Sequence, residues 1–193
     1  RYPAAQAVPT LDGLLALPDV QAVVVAASAA AHHGLAKALL EAGKDVFVEK
    51  PLALNVGHAA ELVRIARERG RILMVGHLLL YHPAVRHLKG MVARGELGDL
   101  LYLYSQRVNL GKVRRDENAL WSFAPHDLSV ILHLVGTEPA DVVARGSAFL
   151  QPSVEDVVFV DMRFPDGKLA PVHESGLDPH KLRKFTVVGS RKM

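Results

Sequence analysis

Two stretches of the sequence place groups capable of acid–base chemistry beside residues that constrain them. In Val46-Phe47-Val48-Glu49-Lys50-Pro51 an apolar, β-rich run ends in a carboxylate, an ammonium and a proline, the pattern of a buried parallel strand whose carboxyl end opens into a crevice. Proline disfavours the helical region for the residue before it, so Lys50 is expected to be extended, with its side chain aimed. An ammonium so placed can polarise a reacting hydroxyl or share its proton. The second stretch is Trp121-Ser122-Phe123-Ala124-Pro125-His126-Asp127. A helix starting at Pro125 would put His126 and Asp127 among the free N–H groups at its positive end, stabilising the carboxylate and keeping the imidazole a neutral base. Each stretch also has a plainer reading. Glu49 and Lys50 can be a surface ion pair in a turn, and Asp127 an ordinary helix-start carboxylate beside a capping or packed histidine.

The elements that must position these groups follow from periodicity. Thr10 caps a short helix closed by Pro18-Asp19, residues 20–27 read as a buried strand, and residues 32–42 as a helix ending at Gly43. After the Lys50 strand, Asn55 caps a helix with Ala59, Leu62, Val63 and Ala66 on one face, Gly70 ends it, and residues 72–75 form another strand. Strand and helix alternate with short loops, which calls for a parallel sheet with right-handed crossovers. Pro83 opens a further helix that Gly95 terminates, and Gly98-Asp99 is the expected boundary between domains 1–98 and 99–193. Beyond it the pattern changes to a strand at 100–110, a charged loop at 111–119, the helix at 125–135, and strands at 141–150, 156–164, 168–175 and 184–188. Pro165-Asp166-Gly167 is the turn between two of them. One helix followed by successive antiparallel strands makes an α+β layer.

Composition excludes several classes. Half of the 193 residues are hydrophobic and 22% are charged, a globular balance rather than a disordered one. The net charge is +3, and Lys112, Arg114 and Arg115 are too few to make a nucleic-acid footprint. Without cysteine there is neither a disulfide framework nor thiolate chemistry, which fits a cytoplasmic setting. No apolar run is long enough for a membrane span, and no metal-ligand cluster stands out. The chain opens on Arg1 and closes on Met193 directly after a strand-like run, so it is expected to be an internal piece of a longer protein.

Taken together, Ala22 to His32, Ala42-Gly43-Lys44, Glu49-Lys50-Pro51, Val75-Gly76-His77, Pro125-His126-Asp127 and Leu177-Asp178-Pro179-His180-Lys181 resemble the Gfo/Idh/MocA family of NAD(P)-dependent oxidoreductases. The resemblance implies an N-terminally truncated Rossmann-type α/β domain, followed by an α+β domain with a largely antiparallel open sheet. It implies Lys50 and His126 as catalytic residues. Ala27, Ser28, His32, Glu49, Lys50 and His77 would face NAD or NADP, and Lys50, Tyr81, His82, Trp121 and His126 the substrate. Leu177-Asp178-Pro179-His180-Lys181, with Trp121 and the Phe185-Thr186-Val187-Val188-Gly189-Ser190 run, looks most like members that oxidise nucleotide-linked amino sugars at C3. A polyol or cyclitol dehydrogenase, or a non-catalytic cofactor-binding protein, is the alternative on the same scaffold. The expected partners are a small sugar and, through the second-domain sheet, further copies of the chain, with neither nucleic acid nor membrane. Three positions depart from the pattern: Ala26-Ala27-Ser28 replaces the usual Ala-Thr-Pro, Ser122 stands where many relatives carry aspartate, and Gly176 where an aromatic is common. The glycine-rich phosphate loop of the family would lie upstream of Arg1.

Overall fold

Consecutive valines make the first strand, β1 (Ala22–Val25), which pairs in parallel with β2 (Asp45–Val48), and β2 with β3 (Leu73–Val75). The computed structural model describes residues 3–111 and 117–193, so the expected charged loop's Lys112, Arg114 and Arg115 lie outside the described residues. Helices α1 (Leu11–Leu15), α2 (Ala29–Glu41) and α3 (Val56–Glu68) accompany the strands. Thr10 and Asn55 cap α1 and α3 through their side chains as expected, and Gly43 and Gly70 take the left-handed conformation that ends α2 and α3. Val25, Val46 and Val48 from the sheet pack with Leu39, Leu40, Leu62 and Ile65 from the helices. The buried stripe of α3 is Leu62, Ile65 and Ala66. Val63, expected on that face, is 38% exposed.

In the second unit a 3-10 turn (Leu78–Tyr81) and α4 (Pro83–Ala93) precede β4 (Leu100–Leu110), α5 (Ala119–Val135), β5 (Asp141–Ser147), β6 (Val157–Arg163), β7 (Leu169–Ser175) and β8 (Leu177–Gly189). The sheet order is β5-β6-β7-β4-β8, antiparallel except between β4 and β7. Leu103, Val158, Val160, Met162 and Val172 project from one sheet face onto Val130, Ile131 and Leu134 of α5. The opposite face carries Val143, Phe159 and Leu169 in the open.

Three expectations are corrected here. The units divide between Gly76 and His77, not at Gly98-Asp99, because Leu79, Leu80, Val85, Leu88 and Val92 pack against the core of the second sheet. Strand β8 begins at Leu177, well before residue 184, and pairs along β4 from Leu110 to Leu100 with two irregularities. Most consequential for the chemistry, α5 begins at Ala119 and contains Pro125. Asn118 is the cap: its Oδ1 accepts the Trp121 N–H at 3.0 Å, while the Glu155 carbonyl accepts the Ala119 N–H at 2.8 Å. Among the described residues no helix is long and apolar enough to cross a membrane.

Candidate active site

At the carboxyl edge of the three-stranded sheet the main chain extends the ladder one step beyond the strands. Glu49 N–H donates to the Val25 carbonyl at 2.9 Å and Gly76 N–H to the Val48 carbonyl at 2.7 Å. The segments Ala26-Ala27-Ser28, Glu49-Lys50-Pro51 and Gly76 therefore emerge side by side, where open α/β sheets bind ligands. Lys50 is half-buried and precedes a cis Pro51. Ala27 and Ser28 are exposed, and Ser28 spends no side-chain bond on capping α2. Gly76 is required sterically: a Cβ there would lie 3.0 Å from Glu49 Oε2 and 3.3 Å from Glu49 Cα. These residues fit the nicotinamide end of a dinucleotide. No two glycines of the chain are separated by one residue, so the Gly-x-Gly pattern of a dinucleotide-binding turn does not occur in it.

His32 differs from its expected role. It is 1% exposed, and its ring lies between the Pro51 carbonyl oxygen, 2.7 Å from Nδ1, and the Ala27 carbonyl oxygen, 3.1 Å from Nε2. A ring so enclosed presents no face to a cofactor. It ties the loop after β1 to the loop after Lys50.

In the second unit His126 lines a cavity of about 260 Å³ with Leu78, Arg107, Asn109, Ser122, Phe123 and Arg183. Ser122 and His126 share one face of α5 at i, i+4, so the hydroxyl stands in the wall beside the imidazole. Asn109 Oδ1 is buried there without a hydrogen-bond partner among the described residues. Asn109, Ser122 and Phe123 also line a smaller space of about 160 Å³ that reaches Gly176. A Cβ at Gly176 would meet only the Asp156 carbonyl oxygen, at 3.8 Å, so the backbone accepts a side chain and its absence leaves this space open.

The helix-start argument for His126 does not survive the longer α5. His126 sits about two turns inside the helix, and the field of a helix terminus fades within the first turn. Asp127 is held instead by a side chain: Arg107 donates from Nε to Oδ2 at 2.6 Å and from Nη2 to Oδ1 at 3.0 Å. Of the other expected contacts, His77 opens the second unit with no hydrogen-bond partner for Nδ1 among the described residues and its pKa lowered by burial. Tyr81 is exposed, the His82 imidazole caps α4 by accepting the Ala84 N–H, and neither they nor Trp121 lines either cavity. Arg107, Asn109, Arg183 and Glu174 were not singled out from sequence. Glu174 carried a signal, because Ala170, Val172 and Glu174 alternate onto the buried face of one strand.

Family models cover most of the chain. One described as "Oxidoreductase family, NAD-binding Rossmann fold" matches residues 2–77, and the "GFO/IDH/MocA C-terminal domain" matches residues 85–193. The UDP-N-acetylglucosamine 3-dehydrogenase of Acidithiobacillus ferrooxidans is 34% identical over 183 residues, 94% of this chain and 56% of that protein. Its solved structure gives a TM-score of 0.85 over 96% of this chain and 59% of that one, at 30% identity. The 2,7-anhydro-N-acetylneuraminate hydratase of Mediterraneibacter gnavus is 30% identical over 174 residues, 83% of this chain and 46% of that protein. The crystal structure of GenD2 from gentamicin A biosynthesis in complex with NAD gives a TM-score of 0.90 at 29% identity, over 97% of this chain and 57% of that one. The chain spans about half the length of the curated relatives it matches.

Proposed function

This chain belongs to the Gfo/Idh/MocA oxidoreductase family, and from that premise we propose that its protein transfers a hydride between a sugar carbinol carbon and the nicotinamide of NAD or NADP. The preferred substrate in this reading is a nucleotide-linked amino sugar reacting at C3. The observation that carries the redox reading is the emergence of Glu49-Lys50-Pro51 beside Gly76 at the carboxyl edge of a parallel sheet. The sugar reading is supported by the cavity at His126, whose amide, hydroxyl and guanidinium groups suit hydroxyls and a phosphate, and by the relative named as a UDP-N-acetylglucosamine 3-dehydrogenase.

The nicotinamide, when bound, supplies the acceptor for the hydride. As the C–H bond breaks with its electron pair, the hydroxyl proton must leave and the C–O bond becomes a carbonyl. The Lys50 ammonium is suited to stabilise an oxygen that loses a proton, and the His126 imidazole is suited to accept one. Oligomer formation is read onto the uncovered sheet face that bears Val143, Phe159 and Leu169.

The test is steady-state oxidation by the full-length protein with UDP-sugars, free sugars and inositol as substrates and either nucleotide. Lys50→Met and His126→Asn should each lower kcat by roughly 10²–10⁴-fold with NADH affinity little changed. Unchanged kcat in both variants would overturn the roles. Turnover confined to inositol would move the substrate to the cyclitols.

A further inference from the structure

Behind the turn of α5 that carries His126, two acids are buried around one guanidinium. Glu174 has no exposed surface, and neither of its carboxyl oxygens receives a hydrogen bond from a described residue. Its neighbour across the parallel ladder is Arg107. Arg107, however, directs Nε and Nη2 at Asp127, which is itself 4% exposed. Were both acids ionised, a net negative charge would be buried with one carboxylate lacking a donor, a state proteins escape by retaining a proton. Burial first, and the Asp127 carboxylate next, push the Glu174 carboxyl up to about 9 against the opposing pull of Arg107. The acid that keeps its proton gains an O–H, and the acceptor beside it is Asp127.

We propose that Glu174 is a positioning residue for His126: as a neutral carboxylic acid it donates a hydrogen bond to Asp127, so that the single guanidinium of Arg107 holds two carboxyl groups under one helical turn. Arg107 also lines the His126 cavity, so the same network sets one cavity wall and the register of α5 above it. Two ionised carboxylates would repel across this contact and lift the turn. Glu174 acts through Asp127 and touches no substrate.

The groups facing Glu174 are Arg107 from β4 and Asp127 from α5, while its register partner on β6 is the uncharged Val158. The folded acid keeps its proton above the value at which the unfolded chain loses it, 4.5. Glu174 therefore contributes stability in full below pH 4.5, and that contribution is lost as pH rises toward about 9. The unfolding equilibrium constant gains up to about tenfold per pH unit across that window.

Two measurements test this. In denaturant unfolding of the chain against pH, Glu174→Gln should remove that pH dependence and stand above wild type on the alkaline side. Parallel wild-type and Gln curves would mean an ionised Glu174 and overturn the proposal. This arm is independent of the oxidoreductase reading, whereas the kinetic arm rests on it. In full-length protein, Glu174→Gln, whose amide also donates to Asp127, should keep kcat within about threefold. Glu174→Leu, which cannot donate, should lower kcat about tenfold or more with KM for the nucleotide unchanged. Wild-type kcat in the Leu variant, or an equal loss in both, overturns the positioning role. Where the Leu variant fails to fold, the unfolding comparison decides alone.

Discussion

The place of Lys50 just beyond the carboxyl end of β2 was legible from three residues of sequence, because a proline after a charged strand end constrains the main chain wherever it occurs. His32, expected to face the cofactor, lies in the first turn of α2 with its ring buried. Linear order shows that a histidine follows a strand, and it does not show which way the ring turns. Burial against the Ala27 and Pro51 carbonyls makes it a clamp on the segment that presents Lys50. His32→Leu should therefore cost about 1–3 kcal/mol of stability, because it removes the N–H of a buried ring and leaves the buried Pro51 carbonyl short of a side-chain partner. Denaturant titration of the chain measures this, and a loss below a few tenths of a kcal/mol would remove the clamp. Glu174 shows the converse case: its strand alternation was readable, but its protonation depends on Asp127 and Arg107, which reach it only through tertiary packing.

Helices α1 and α3 start where the sequence indicates, since Thr10 and Asn55 cap through atoms three residues away in the chain, whereas α2 begins at Ala29, three residues before the expected start. Helix α5 departs as well. Proline is favoured at a first helical turn, which made Pro125 the natural start, yet an earlier cap was available at Asn118. That cap is secured by a distant residue: Asn118 Nδ2 donates to Glu155 Oε2 at 2.7 Å, and Glu155 supplies the carbonyl for Ala119. Replacing Asn118 with Ala should lower stability by about 1 kcal/mol. It should also let the Glu155 carboxyl, now held low chiefly by the Asn118 hydrogen bond, titrate nearer its ordinary range. Carboxyl titration by NMR and denaturant unfolding report the two effects separately. An unmoved Glu155 and an unchanged unfolding midpoint would place the cap elsewhere.

On the scale of the molecule, the five-stranded sheet is covered by α5 on one face only, and Phe159 stacks on His173 across the other at a centroid distance of 4.3 Å. The self-association proposed for this face predicts that Phe159→Glu, at a residue 51% exposed, leaves the fold intact while the full-length protein sediments as one copy. An unchanged oligomer would move self-association to another surface. Alternation of strands with amphipathic helices, followed by a run of strands, was enough to establish a parallel sheet followed by a largely antiparallel one, because hydrophobic period and turn chemistry act over a few residues. The family was legible through the motifs that carry the resemblance. The division at Gly76/His77, the true start of α5, the burial of His32 and the Arg107–Asp127 ion pair were settled only in three dimensions. Each depends on which distant groups meet, and on the solvent that such meetings exclude, so no local pattern in the chain encodes it.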